Sequence, residues 1–229
     1  MSTRSIHDAA RDGDLERVTE LLESNPALVN QDDQHKWRPV FHAALRKHYD
    51  VVKALIDRGA DLSAHEGYVM HYAGEVPGNK RIVELLVNYG ALDAHAEPRS
   101  ESARQFIYAV FLANVHRVKA MLNAENRLVG ERYVRGDTAL HHASRNGDTA
   151  VVSVLLEHGA DVNALSDGSH FPLYCAAGHC HVETTACLLD HGADRSQTFD
   201  DGTTVSEWLK QYVDHDPRYR QCLDLVGRA

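Results

Sequence analysis

Aliphatic residues along this chain gather into short runs at a near-constant interval. Val51-Val52-Lys53-Ala54-Leu55-Ile56, Ile82-Val83-Glu84-Leu85-Leu86-Val87 and Val151-Val152-Ser153-Val154-Leu155-Leu156 have the spacing of helices buried on one face. The last aliphatic residues of successive runs are Leu22, Ile56, Val87, Leu122, Leu156 and Leu189, in steps of 34, 31, 35, 34 and 33 residues. That period is too long for heptads or leucine-rich repeats. Four runs end in a glycine-led tetrad or triad: Gly59-Ala60-Asp61, Gly90-Ala91-Leu92-Asp93, Gly159-Ala160-Asp161 and Gly192-Ala193-Asp194. A glycine in this place supplies a left-handed helix cap.

The most regular period, residues 136–164, shows the unit. Gly136-Asp137 opens a turn, and Thr138 to Ser144 predicts a short helix of small residues. Asn146-Gly147-Asp148 breaks it, and Thr149 to His158 predicts a second, more aliphatic helix closed by Gly159. Thr138-Ala139-Leu140-His141 opens the first helix, with counterparts in Phe171-Pro172-Leu173-Tyr174 and Arg38-Pro39-Val40-Phe41. Turn, short helix, tight turn, longer helix and loop in this order resemble the ankyrin repeat. The resemblance covers units 6–34, 36–64, 66–94, 102–130, 136–164 and 168–198, with a partial capping unit at 201–229. It implies an all-α solenoid, read here as a single domain over 1–229. Tyr219, Cys222, Leu223 and Val226 after Pro217 predict a helix that closes the last face.

Two places depart from the pattern. Glu75-Val76-Pro77-Gly78-Asn79 carries one extra residue in the inter-helix turn, and Asp93 to Glu101 is the least regular connector, where a bend is expected. Units one and four also lack the Gly-Ala ending and share instead a variant ending, Pro26-Ala27-Leu28-Val29-Asn30 aligning with Asn126-Arg127-Leu128-Val129-Gly130.

Charge narrows the partners. Lys and Arg total 24 against 33 Asp and Glu, a formal charge of −9, so non-specific nucleic-acid binding is not expected. No apolar run reaches the ~20 residues of a membrane span, and Met1 to Asp8 has no apolar segment of the secretory kind. Four cysteines in 229 residues do not make a disulfide framework, so a reducing, cytoplasmic compartment is expected, with the chain a monomer.

The resemblance implies a concave recognition surface lined by turn tips and short-helix ends. The tips hold His35 and Trp37, His65 and Tyr68, Arg135 and Asp137, and His170. The helix ends hold Arg11, Asp12, Arg46, Glu75, Phe111, Leu112, Arg145, Asn146 and His179. Trp, Tyr and Arg are frequent binding hot spots, and the expected partner is another protein. Phe111 and Leu112 stand where polar residues are usual, which fits a locally repacked unit four or an apolar groove centre.

Most of the 16 histidines have positional roles. By the resemblance, His7, His71 and His141 bond backbone groups across adjacent turns, while His35, His65, His170 and His179 are the ligand-facing candidates. Cys175, His179, Cys180, His181 and Cys187 point in different directions in the repeat frame, so no metal site is expected. There is no G-x-S-x-G, phosphate-cradling glycine loop or H-E-x-x-H, and no cofactor is called for. The alternative to protein recognition is a small-molecule or acid–base groove built on the irregular central units, using Tyr68, Glu75, Arg135, Asp137, Arg145 and His170.

Overall fold

The computed structural model describes residues 4–62, 68–76, 78–89 and 100–227, and the chain forms two compact units, 1–98 and 99–229. The boundary falls inside the irregular connector. In the first unit, α1 (Ile6–Asp12) and α2 (Leu15–Ser24) are followed by a 3-10 turn at Pro26–Asn30. Then come α3 (Pro39–Leu45), α4 (Tyr49–Asp57), α5 (Tyr68–Glu75) and α6 (Lys80–Asn88). The second unit has α7 (Glu101–Phe111), α8 (Val115–Ala124), 3-10 turns at Asn126–Gly130 and Val134–Gly136, α9 (Ala139–Asn146) and α10 (Thr149–Glu157). It continues through α11 (Pro172–Ala177), α12 (Val182–Asp190), α13 (Val205–Lys210) and α14 (Pro217–Val226). Among the described residues extended pairing is limited to the isolated bridges Arg132–Thr138 and Thr198–Thr204, each flanking a turn tip.

Within each unit like helices stack on like. Short helix α1 packs on α3 and α3 on α5, while α7, α9, α11 and α13 form the same row in the second unit. The longer helices make the other row: α2, α4 and α6, then α8, α10, α12 and α14. Small buried residues let the short helices approach: Ala9 and Ala10, Ala43 and Ala44, Ala143, Ala176 and Ala177. The long helices contribute Val18, Leu22, Val52, Leu55, Leu86, Leu122, Val152, Leu155 and Leu188 to the core. The closing helix forms as its pattern predicts, with Cys222 and Val226 buried and Asp216 accepting a capping bond from the Arg218 amide.

The turn between paired helices is the most constant feature. Its left-handed residue is Gly13, Lys47, Gly78, Ala113, Gly147 or Cys180, in steps of 34, 31, 35, 34 and 33, the same steps as the aliphatic runs. In five of these turns the next amide reaches back to a small core residue: Asp14 to Ala9, His48 to Ala43, Asn114 to Ala109, Asp148 to Ala143 and His181 to Ala176. These bonds, 2.9–3.0 Å long, close the first helix and turn the chain to run antiparallel. Loop asparagines then tie neighbouring repeats. Asn30 donates to the Gly59 carbonyl and accepts from the Asp61 amide, and Asn163 does the same with Gly192 and Asp194.

Candidate functional site

In the first unit the tip between the 3-10 turn and α3 is organised by Asp33. Its Oδ1 accepts the amides of His35 and Trp37, both at 2.8 Å, and its Oδ2 accepts Nε2–H of His42 at 2.9 Å. The turn is closed by the Asp33 amide donating to the Trp37 carbonyl, with Lys36 in the left-handed conformation at φ 62°. Burial works against the Asp33 charge, but the Trp37 amide, the His42 ring and the His35 amide outweigh it and hold its carboxyl below the ordinary value. Burial also lowers the His42 imidazole below its usual value, against the opposing pull of Asp33.

This tip presents Trp37. The indole rests on Phe41 with ring centres 4.5 Å apart, touches His35 and His42, and remains 39% exposed. Beside it lies a cleft of about 290 Å³ lined by Arg11, Asp33, Gln34, His35, Trp37, His42, Leu45 and Arg46. Tip residues and short-helix ends therefore meet in one place: His35 and Trp37 from the tip, Arg11 from α1 and Arg46 from the end of α3. Sequence reasoning passed over Asp33 and Leu45. The signal for Asp33 was its place two and four residues before His35 and Trp37, where a carboxylate caps successive amides.

Elsewhere the predicted residues have other occupations. All of His65 and the side chains of Tyr68, His71 and Glu75 lie outside the described residues. In the second unit Arg135 is exposed, at a left-handed φ of 60°. Asp137 and Arg145 correct the expectation that tip and helix-end residues stand free. Arg145 donates to Asp137 Oδ2 at 3.1 and 3.2 Å, and the two side chains are only 4% and 11% exposed, Asp137 being the lower. Arg145 also reaches the Cys175 sulfur at 3.7 Å. Phe111 is a second correction: it is 1% exposed, with its ring against His142 at 5.0 Å, so unit four is repacked around it and it offers nothing to a ligand. Leu112 and Asn146 are half-buried. His170 is half-buried against Tyr174, whose ring continues to Phe199 and Trp208. His179 is exposed and its Nδ1 donates to the Cys175 carbonyl.

Of the repeat-position histidines, His7 and His141 bond backbone as their places imply. His7 Nε2 donates to the Gln31 carbonyl at 2.8 Å. His141 accepts the Thr138 amide at Nδ1, which fixes its neutral tautomer, and donates from Nε2 to the His170 carbonyl at 3.2 Å. Among the described residues no three His, Cys, Asp or Glu side chains converge as metal ligands. Cys175, Cys180 and Cys222 are buried free thiols, and Cys187 is a half-buried one.

Comparison with known proteins gives a consistent picture. A family model described as ankyrin repeats, in three copies, matches residues 6–97 and 106–199. The chain is 30% identical over 189 residues to the ankyrin repeat protein nuc-2 of Neurospora crassa, covering 80% of this chain and 17% of that protein. It is 27% identical over 233 residues to the E3 ubiquitin-protein ligase XBAT32 of Arabidopsis thaliana, covering 89% of this chain and 39% of that protein. It thus spans well under half the length of these curated relatives. Among solved structures it is similar in fold to a chain of the complex titled Bd0816 predatory endopeptidase from Bdellovibrio bacteriovorus with immunity protein Bd3460. The TM-score is 0.51 at 24% identity, over 83% of this chain and 99% of that one.

Proposed function

The chain belongs to the ankyrin-repeat family, and from that premise we propose that it recognises another protein through the Trp37 cleft of its first unit. Ankyrin repeats are in general protein-interaction modules. The observation that carries the reading is the meeting of an exposed indole, two arginines and His35 around one cleft on a turn whose shape Asp33 holds. An aromatic ring presented on a pre-formed turn loses little conformational freedom on binding, which is the character of a hot spot. The acid–base alternative finds less support, because Asp137 and Arg145 are bound to each other in a nearly buried ion pair. We further propose that the protein acts as a monomer in the cytoplasm. Its four cysteines are free thiols, and no helix among the described residues is long and apolar enough to cross a membrane.

The test is site-specific photocrosslinking. A crosslinking residue in place of Trp37 should capture a defined protein that the same group in place of Tyr89, exposed at the end of α6, does not. The purified partner should then bind Trp37→Ala more weakly by ~2 kcal/mol or more. Equal capture from both positions, or unchanged affinity of Trp37→Ala, excludes the cleft as the recognition site.

A further inference from the structure

Resting on that reading, we infer that the cleft takes an acidic segment of its partner: a carboxylate set against Arg11 and Arg46, with a neighbouring apolar side chain on Trp37 and Leu45. The charge of the lining decides the sign. Asp33 is its single carboxylate, and both oxygens are already engaged by the His35 and Trp37 amides and the His42 ring. Arg11 is shared with Asp8 and Asp12, whereas the Arg46 guanidinium has no ion-pair or hydrogen-bond partner among the described residues. Lys36 and Lys47, next in the chain to Trp37 and Arg46, are exposed. The two arginines of the lining stand against a formal charge of −9 for the whole chain. A guanidinium without a partner, beside an indole, matches a carboxylate with an apolar neighbour.

The cleft is at the lower end of the small-molecule size range, and its open edge points to the kind of occupant. Pockets that enclose a small molecule have volumes of roughly 300–1,000 Å³ and bury most of it. The present cleft, about 290 Å³ with Trp37 and Arg46 exposed at its edge, holds one or two side chains of a longer segment. The geometry therefore points to a partner peptide rather than to a free anion.

A random-sequence peptide library selected on the full chain, with counter-selection on the Trp37→Ala/Arg46→Gln variant, tests this. The peptides retained should carry Asp or Glu beside an apolar residue. They should bind the wild type at least about tenfold more tightly than either single variant, and weaken as sodium chloride is added. Selection on Arg46→Glu should lose the acidic preference. Failure to retain peptides that depend on Trp37 and Arg46 overturns the inference, as does retention of peptides without acidic residues. Saturable binding of inorganic phosphate or free glutamate to the cleft would overturn it in favour of a small anion. If crosslinking at position 37 captures a protein whose contacting segment has no carboxylate, the proposed function stands and this inference falls. If nothing is captured there, both fall.

Discussion

The imidazole of His181 occupies the space that Gly147 leaves by having no side chain, and its Nε2 donates to the Arg145 carbonyl at 3.0 Å. His48 stands in the same way over Gly13 and donates to the Arg11 carbonyl, also at 3.0 Å. Asn79 takes the corresponding place in the third repeat and donates to the Ala44 carbonyl. Repeats two, three and six thus satisfy the end of the preceding short helix with a side chain from their own inter-helix turn.

Gly147→Ala should therefore be among the costlier small substitutions. The left-handed backbone at φ 73° costs a non-glycine residue about 1–2 kcal/mol. The new methyl group also collides with the His181 ring, and displacing the ring removes a hydrogen bond of ~1 kcal/mol. Gly159→Ala is the control, because nothing lies within 4 Å of its added carbon and only the backbone term remains. Urea denaturation of both variants checks this, and equal losses would remove the role assigned to His181.

The repeat period, the paired helices and the glycine breaks and caps were legible in the sequence because each is set by residues close together in the chain, whereas the left-handed turns at Lys47, Ala113 and Cys180 carry no glycine to mark them. Gly147 could be read as a break, and Leu155 as core, without any tertiary information. Trp37, His35 and Arg46 share a cleft because they occupy the tip and helix-end registers of one repeat. What sequence alone does not carry is which polar side chains are taken up internally. Asp137 looks like any polar tip residue until Arg145 folds onto it from the far end of α9. Phe111 looks like an apolar intrusion into the groove until its neighbours bury it.

The Asp137–Arg145 pair makes a specific prediction. Removing one member of a nearly buried ion pair leaves the other charge without its partner, so Arg145→Ala should cost about 3–5 kcal/mol. The Arg145→Met/Asp137→Leu double variant should be less destabilised than Arg145→Ala, since no buried charge remains. Arg46→Ala, at an exposed position, should leave the melting temperature nearly unchanged. If Arg145→Ala melts like the wild type, the pair is not structural and Arg145 returns as a binding residue.

Phe111→Ala should lose about 3–5 kcal/mol, and Leu155→Ala about 2–5 kcal/mol, as fully buried side chains do. Differential scanning calorimetry of the two variants is the measurement. A loss under ~0.5 kcal/mol at Phe111 would mean that unit four is not packed around it.

The histidines set the acid sensitivity of the fold. Burial holds His42, His141 and His181 below the ordinary imidazole value of 6.5, partly opposed by Asp33, by Asp137 and by the bond to Arg145, respectively. The unfolded chain therefore takes up protons near pH 6.5 that the folded chain refuses. Stability is intact above that value and falls as pH drops through it, until each folded value is passed and the loss from that residue is complete. Each histidine contributes at most about 1.4 kcal/mol per pH unit in that window. His141 should dominate, because a proton on Nδ1 takes away the acceptor that the Thr138 amide uses. Asp8 and Asp33 act at a lower pH and in the same direction: hydrogen bonds to Asp8, and those to Asp33 in spite of its burial, hold their carboxyls below 3.8. Their contribution is present above 3.8 and is lost as pH falls below it. Urea midpoints measured from about pH 8 to about pH 5 should decline from near 6.5 downward. A flat profile across that range would show that the three rings can accept a proton without leaving their places.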